Sequence, residues 1–579
     1  MSQVLNKSGV IIGNNKIIFF IVSLLGLQSL YFNHIYKINF PYAFDMTSLT
    51  YLYDYLMTDN FPIESLLTEN NSRGIIFPKL LVLPNYLLNN FDSGNLFYLQ
   101  WIILSLTLFM IFLIIRRNNK SLYWTLIPIS AFIFSPLTNS NYWTYSILVN
   151  YLPALCIASI IYVLDKKFNL KTTTIGIFLS IVSIFSIPTG VIAWLLGSIL
   201  LLKSTIQKNL LQKKLLPLWF LSMLITGILY VSIGDLTQQK TSVEELFSQE
   251  GIYFIATYLA VPFKLKYDSL MIAVGVLSFF ISIVLVSCLA ITKSKLNNIF
   301  PWILFLITGL SGAIITRFGR FSDYYTGDLP YYIPISEFFQ IGICVLVAIL
   351  IFEIKQKEIY KNKKVILGLL YSIIICQMIF LIPSYYSGWM KGDYYFNEKT
   401  EHMQCYSLYH DWLKCKEYYI LGLDKSEHQY EVLQIFNYFL KNKLNFFSDP
   451  NYNKEILKEL DIFGNMYNEK ENVILDGEIT TVNNFDVTNK DTIDVNDEIL
   501  IVSGWLQATD SKSVDVIYLI VNDEPIAKYD DFTVFNMDDK FNWNFALLKN
   551  YLPDECKKIT VAGMKNNSIF VLNDSIQIC

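Results

Sequence analysis

The chain has 579 residues, of which 53% are hydrophobic, 16% aromatic and 16% charged, with a net charge of −4 and a mean hydropathy of +0.39. This composition is too apolar for a soluble protein of this length. Repeated apolar runs of about 17–23 residues match the length that crosses a bilayer, so the fold class is a polytopic α-helical membrane protein. No nucleic-acid-binding signature is present, and no nucleic-acid partner is expected.

The apolar runs predict about eleven transmembrane helices. They cover residues 17–36, 96–115, 122–137, 142–164, 174–187, 191–202, 215–233, 269–291, 299–315, 332–352 and 365–382. The fifth and sixth are short and are joined by the peptide 186–190, so a re-entrant hairpin is the alternative. Either interpretation leaves the sidedness of the other helices unchanged.

Lysine and arginine are concentrated in short alternate loops, including 116–120, 166–171, 203–214 and 355–364. Short cytoplasmic loops carry such an excess. We therefore expect a cytoplasmic amino terminus, with loop 37–95 and everything after residue 382 on the outer side. In a bacterium this predicts the inner membrane, with a periplasmic or extracellular carboxyl-terminal domain.

The long first loop is the most unusual segment of the transmembrane domain, which we assign to residues 1–386. Residues 47–57 have apolar side chains at i, i+3 and i+4, which is typical of an amphipathic helix lying at the membrane interface. A second interfacial helix is predicted over residues 74–88. Both helices would hold the polar residues of the loop over a cavity between the spans.

Two carboxylates in this loop are candidate catalytic residues. Asp45 follows the first span by about nine residues, and Glu69 lies between the two predicted helices. A carboxylate there could accept the proton of an attacking hydroxyl. The alternative for an isolated acid in an outer loop is simple solvation.

Cationic and aromatic residues of the outer loops are candidates for binding a substrate phosphate and sugar. Arg73 and Lys79 belong to the first loop, while Arg317, Arg320 and Tyr324 belong to a later one. Arginine binds phosphate oxygens with two parallel hydrogen bonds, and tyrosine can stack on a sugar face. The alternative is that these cations only anchor helix ends at the interface.

The exported region divides into a mainly helical segment, 387–471, and a strand-rich part, 472–579, that predicts a β-sandwich-like domain.

The eight cysteines fall into two groups, one in the predicted spans and one in the exported region. Four lie in predicted spans as inert apolar residues: Cys156, Cys288, Cys344 and Cys376. The exported four predict the pairs Cys405–Cys415 and Cys556–Cys579, with four free thiols as the alternative.

The layout of residues 17–385 resembles the membrane glycosyltransferases of the C-type fold (GT-C). These have an acidic residue in the first outer loop, interfacial helices and further spans. The stretches Glu69-Asn70-Asn71-Ser72-Arg73 and Phe77-Pro78-Lys79 are similar to an acidic–His-Arg–Phe-Pro-Arg pattern in bacterial members. Here Ser72 stands where the pattern has histidine, and Lys79 replaces the last arginine.

The resemblance implies transfer of a sugar from a polyprenyl-phosphate-type lipid donor to an envelope glycan, glycolipid or protein on the non-cytoplasmic side. The expected partners are the lipid-linked donor, the acceptor and the bilayer. No cofactor and no metal ligands are predicted, while dependence on a divalent metal stays open. The alternatives are a lipid-linked glycan flippase or exporter and a glycan polymerase or ligase.

Overall fold

The computed structural model describes residues 2–37, 75–139, 144–165, 169–206, 215–233, 243–292, 296–319, 327, 329, 332–356 and 363–409, and the strands between 473 and 578 with the gaps between them. The chain forms two compact units, Met1–Phe396 and Asn397–Cys579. The first unit is helical, and the described part of the second is mostly β-sheet.

The helices of the described residues vary in length from one turn to thirteen turns. They are α1 (Ser2–Tyr36), α2 (Ile76–Leu88), α3 (Leu96–Asn118), α4 (Leu126–Ile133), α5 (Pro136–Asn139), α6 (Thr144–Leu164), α7 (Leu170–Ile184), α8 (Val191–Ile206), α9 (Leu215–Ile233), α10 (Val243–Leu246), α11 (Gln249–Ala260), α12 (Asp268–Ile291), α13 (Leu296–Phe318), α14 (Ile333–Gln356) and α15 (Lys363–Tyr409). Helix α15 continues well past residue 382, where the last predicted span ends.

Eight helical segments in the described ranges are long and apolar enough to cross a membrane. They are Asn15–Tyr36, Ser93–Asn118, Lys120–Thr138, Leu215–Ser232, Asp268–Ile291, Asn298–Phe318, Ile333–Gln356 and Lys364–Asn397. Each coincides with a predicted span, and together they indicate a multi-pass membrane protein. The other three predicted spans are helical too, with shorter apolar lengths of Val149–Leu164, Leu170–Ile184 and Pro188–Lys203.

Contacts between helix termini define two ends of the bundle. At the first-loop end, where α1 ends and α3 begins, the Asn33 amide donates to the Phe97 carbonyl at 2.8 Å. At the opposite end α3, α6 and α8 finish, and the Arg117 and Lys203 side chains both reach Asp165. The helices therefore alternate in direction between two ends, as in a membrane bundle.

Helix α14 is the centre of the bundle. Every residue from Ile333 to Ile351 is buried. A helix that is apolar all round must be surrounded by other helices. Glycines on α13 allow its antiparallel neighbour to approach, because a Cβ on Gly309 would lie 2.5 Å from the Phe339 Cβ. Small residues at such positions are the usual means of close helix packing in membranes.

Helices α7 and α8 form a hairpin with a buried turn at Pro188–Gly190. With 15 and 16 residues they are about 22–24 Å long, short of the ~30 Å hydrocarbon core. The turn is tight because a Cβ on Gly190 would lie 1.9 Å from the Ser183 carbonyl oxygen.

Helix α2 begins against this hairpin. The backbone amides of Ile76 and Phe77 both donate to the Phe185 carbonyl, at 2.8 and 3.3 Å. This supplies a partner for the exposed amides of the first helical turn. The predicted helix over 74–88 is thus confirmed as a helix, with Pro84 inside it.

Helix α11 is a short helix that the hydropathy pattern did not predict. Its last turn, residues 256–260, is buried, and the chain then turns through Val261–Phe263. A Cβ on Gly275 would lie 1.9 Å from the Ala256 carbonyl oxygen, so α11 packs directly on α12. Gly275 is seven residues into α12, which places Ala256 about 10 Å along α12 from the start of that helix.

The second unit contains ten described strands. They are β1 (Val473–Val482), β2 (Phe485–Asp486), β3 (Thr492–Ile493), β4 (Ile499–Gln507), β5 (Val516–Val521), β6 (Glu524–Tyr529), β7 (Lys540–Leu548), β8 (Lys557–Lys565), β9 (Ser568–Leu572) and β10 (Ile576–Ile578). The path runs β3-β10-β8-β9-β1-β4-β7, with β5 paired to β6 and β8. Strand β1 pairs parallel to β9 through residue 475 and antiparallel to β4 from Asp476. Residues 517–521 of β5 form a continuous apolar run and are all buried.

Candidate functional site

Most of the buried residues with amide or charged side chains collect towards one end of the helical unit. In the described residues of that unit this group consists of Asn33, Lys79, Gln100, Asn150, Arg317, Glu337, Gln340 and Gln377. The buried Asp165 side chain lies at the opposite end and is not part of the group. Seven of the eight lie near the first-loop end of their helices, and Gln377, in the first half of α15, contacts Gln340. We call this set the polar layer. Ionisable groups inside membrane helices are costly, so such a set is a candidate functional site.

Tyr151 connects three helices within the polar layer. Its hydroxyl donates to the Thr138 carbonyl at 2.6 Å, and the Gln100 amide hydrogen-bonds to it. The same hydroxyl is close enough to Glu337 for the two groups to interact electrostatically. Glu337 lies in the first turns of α14 and is 1% exposed. These contacts bring α3, α6 and α14 together around one carboxyl group.

Gln340, one turn below Glu337, satisfies the end of α11. Its amide donates to the Leu259 carbonyl at 2.8 Å and lies 3.4 Å from the Ser278 hydroxyl. The Gln377 amide donates in turn to the Gln340 side-chain oxygen at 3.1 Å. The last carbonyls of a helix have no intrahelical partner, and irregular backbone at membrane depth needs protein partners. Gln340 and Gln377 therefore hold α11 in the bundle.

Arg317 ends helix α13 beside α11. It is 2% exposed, and its guanidinium lies 5.7 Å from the centre of the Phe254 ring. The chain returns to the same place at Gly327, whose amide donates to the Thr257 hydroxyl at 2.8 Å. Arg317 and Gly327 thus both contact α11. Arg317 is a packed cation and does not extend into solvent as an interface anchor does.

Lys79 lies on the buried face of α2. It is 1% exposed, and Pro78 and Val82 on the same face are buried, whereas Leu80 and Leu88 are exposed. Helix α2 contacts α6, which carries Tyr151. A lysine ammonium is almost never buried without polar surroundings. Lys79 and Arg317 therefore place two buried cations in the polar layer, on different helices.

The other predicted site residues lie outside the described residues. They are Asp45, Glu69, Arg73, Arg320 and Tyr324. The predicted helix over 47–57 and the exported cysteine pairs also fall in stretches that the structure leaves undescribed, in whole or in part. The cysteines Cys156, Cys288, Cys344 and Cys376 are free, as predicted for the spans.

At the rim of the first-loop end, Asp92 caps a short helical turn by accepting from the Gly94 amide at 2.8 Å. Burial raises the pKa of Asp92, while the Gly94 amide and the Lys37 charge oppose that rise. Nearby, the His34 ring lies 2.9 Å from the Tyr98 hydroxyl, so this histidine is hydrogen-bonded.

The opposite end has a different kind of charged cluster. Asp165, whose side chain is 1% exposed, pairs with Arg117 at 2.9 Å and with Lys203 at 3.3 Å. The Lys203 ammonium also lies 3.9 Å from the centre of the Phe300 ring. Both carboxylate oxygens thus have a cation. This cluster joins the ends of α3, α6 and α8 and leaves no acid free for chemistry.

Glu337 was not among the site residues predicted from the sequence, whereas the structure buries it. The signal was available, because Glu337 is an acid near the start of a predicted span. The start of a span ordinarily meets water. Helix α11 and the loop ends around Gly327 cover that start instead.

Comparison with known proteins adds no family: no protein-family model, curated protein or solved structure matches this chain. Within the described ranges no group of three His, Cys, Asp or Glu side chains could hold a metal ion, so no metal ligands are assigned.

Proposed function

We propose that this protein is a membrane glycosyltransferase. It would move a sugar from a polyprenyl-phosphate-type lipid donor to an envelope glycan, glycolipid or protein on the non-cytoplasmic side. In this proposal the bundle is a GT-C-like domain of about eleven spans in the bacterial inner membrane. The first-loop end faces outward, and the carboxyl-terminal sheet belongs to a β-sandwich-like exported domain.

The observation that carries the proposal is the one-sided position of the polar layer. Below Gln340 the central helix α14 continues as residues 341–350, which are all apolar and buried. A flippase or exporter needs a polar path through the bundle for the headgroup it moves. A transferase needs a polar site at one end only, where a lipid tail stays in the bilayer and the headgroup meets its acceptor.

The charges of the site suit a reaction in which the lipid phosphate is the leaving group. Asp45, assisted by Glu69, would take the proton from the acceptor hydroxyl as its oxygen bonds to the anomeric carbon. The bond from that carbon to the phosphate oxygen breaks, and its electron pair leaves with the lipid phosphate. Cations then offset the charge on the phosphate.

We assign phosphate binding to Arg73, Lys79, Arg317 and Arg320, and stacking on the sugar to Tyr324. Lys79 and Arg317 have the support of their burial, because a buried cation interacts with an anion in a medium of low dielectric constant. The dependence on a divalent metal stays open, because cations of the protein can supply the same charge.

Sugar transfer by the purified full-length protein tests the proposal. Radiolabelled polyprenyl-phosphate sugars are supplied with an envelope glycan fraction as acceptor, and label in the acceptor is measured. We expect Asp45→Asn and Arg317→Ala to lose transfer, while Asp59→Asn, the same change in the same loop, retains it. Full activity in a folded Asp45→Asn protein would rule out the base assignment.

A further inference from the structure

Two acceptor atoms beside Tyr151 have no donor among the described residues. They are the Glu337 Oε2 and the Thr138 Oγ1, and both residues are buried. They belong to different segments, α14 and α5. The Tyr151 hydroxyl donates to the Thr138 backbone carbonyl at 2.6 Å and is close enough to Glu337 for the two groups to interact electrostatically. Tyr151 therefore links two residues that each have an incompletely hydrogen-bonded side-chain oxygen.

Tyr151 cannot supply the missing donors. A phenol has one proton, and that proton is donated to the Thr138 backbone carbonyl at 2.6 Å. The Gln100 amide is engaged with the tyrosine oxygen. The Tyr151 hydroxyl and the Gln100 amide thus already have hydrogen-bond partners. The Glu337 carboxyl oxygen and the Thr138 hydroxyl oxygen remain as acceptors without a donor among the described residues.

A buried polar group without a hydrogen-bond partner is destabilising. Such a group in a functional layer indicates a ligand that brings the missing hydrogen atoms. Sugar hydroxyls suit this place, because each donates one hydrogen bond and can accept another, and neighbouring hydroxyls are spaced to reach two acceptors. The Thr138 hydroxyl can then accept from the ligand or donate to it.

We infer that Glu337 and Thr138, held in place by Tyr151, bind hydroxyl groups of the sugar carried by the lipid-linked donor. This inference rests on the proposed function and adds to it the residues that select the sugar part of the donor. Glu337 binds through hydrogen bonds to its carboxyl group. Tyr151 is a positioning residue in this arrangement.

The test compares two lipids that differ only by the sugar. Undecaprenyl phosphate and a panel of undecaprenyl-phosphate sugars (glucose, galactose, mannose and N-acetylglucosamine) are bound to the full-length protein in nanodiscs. Native mass spectrometry measures the dissociation constant of each. The ratio of the two constants isolates the contribution of the sugar, because the phosphate and the tail are common to both lipids.

For the wild type we expect at least one panel member to bind more tightly than undecaprenyl phosphate. In Glu337→Gln this preference should fall about tenfold or more, with the affinity for undecaprenyl phosphate unchanged. Tyr151→Phe should weaken the preference in the same direction. Glu353→Gln, the same substitution at the opposite end of the same helix, should leave it unchanged.

An equal sugar preference in Glu337→Gln and wild type would overturn the inference while leaving the proposed function in place. Wild-type protein that binds undecaprenyl phosphate without any preference for the sugar-bearing lipids would overturn it as well. If neither kind of lipid binds to the wild type, the proposed function fails and the inference fails with it.

Discussion

Replacing Gln340 by methionine should release α11 from the bundle. Methionine has a similar length but cannot donate, so the Leu259 carbonyl loses its partner at 2.8 Å. A buried acceptor left unsatisfied costs about 1–3 kcal/mol. Gln377 loses the side-chain oxygen at 3.1 Å but keeps the Gln340 backbone carbonyl at 3.3 Å, which adds about 0.5–1 kcal/mol.

We therefore expect the free energy of unfolding to fall by about 1.5–4 kcal/mol. Unfolding in mixed detergent micelles gives that quantity, and amide hydrogen exchange over residues 249–260 reports whether α11 is the part that opens. The matched control is Gln356→Met, because Gln356 is exposed at the far end of the same helix. A change below about 0.5 kcal/mol with unchanged protection of α11 would refute this account of how the helix is held.

Three further substitutions test other parts of the structure. Asp165→Asn should destabilise the protein by about 2–4 kcal/mol, because two partly buried cations lose their shared carboxylate, and thermal unfolding measures this loss. Gly197→Ala should cost about 1–3 kcal/mol by the same measurement, because its Cβ would lie 2.1 Å from the buried Trp219 ring. Arg317→Lys should reduce sugar transfer about tenfold or more, because lysine keeps the charge but loses the planar group that stacks on Phe254.

The two stability predictions each have a control in the chain. For Asp165→Asn it is Glu245→Gln, a neutralised exposed acid that should not change stability. Gly227→Ala serves for Gly197, because nothing lies within 4 Å of its added Cβ and the change should be neutral or stabilising. Unchanged thermal stability in Asp165→Asn or Gly197→Ala would contradict the packing described. Wild-type transfer by a folded Arg317→Lys protein would show that charge alone suffices there.

The long helices could be predicted because each satisfies one condition, an apolar run long enough to cross a membrane. Helix α14 is such a run, and its predicted bounds of 332–352 lie within a few residues of Ile333–Gln356. Helix α11 could not be found in that way. It has 12 residues and ends inside the bundle, so its hydropathy resembles that of a soluble loop helix.

The polar layer was only partly predictable for a related reason. Lys79 and Arg317 were chosen by charge and by the expected side of the membrane, and both are indeed at the first-loop end. Their burial depends on α2 packing on α6 and on α11 packing beside α13, and both contacts join segments distant in sequence. The electrostatic interaction between Glu337 and Tyr151 likewise depends on α6 packing against α14, and these helices are distant in sequence.

The measurement that tests the central claim most directly follows transfer and lipid movement in the same vesicles. Protein is reconstituted with a radiolabelled polyprenyl-phosphate sugar, the acceptor fraction is added outside, and a reagent confined to the outside reports the headgroups it can reach. The account predicts label in the acceptor, with no protein-dependent movement of headgroups between leaflets. Movement of headgroups without labelled acceptor would contradict it and identify an exporter instead.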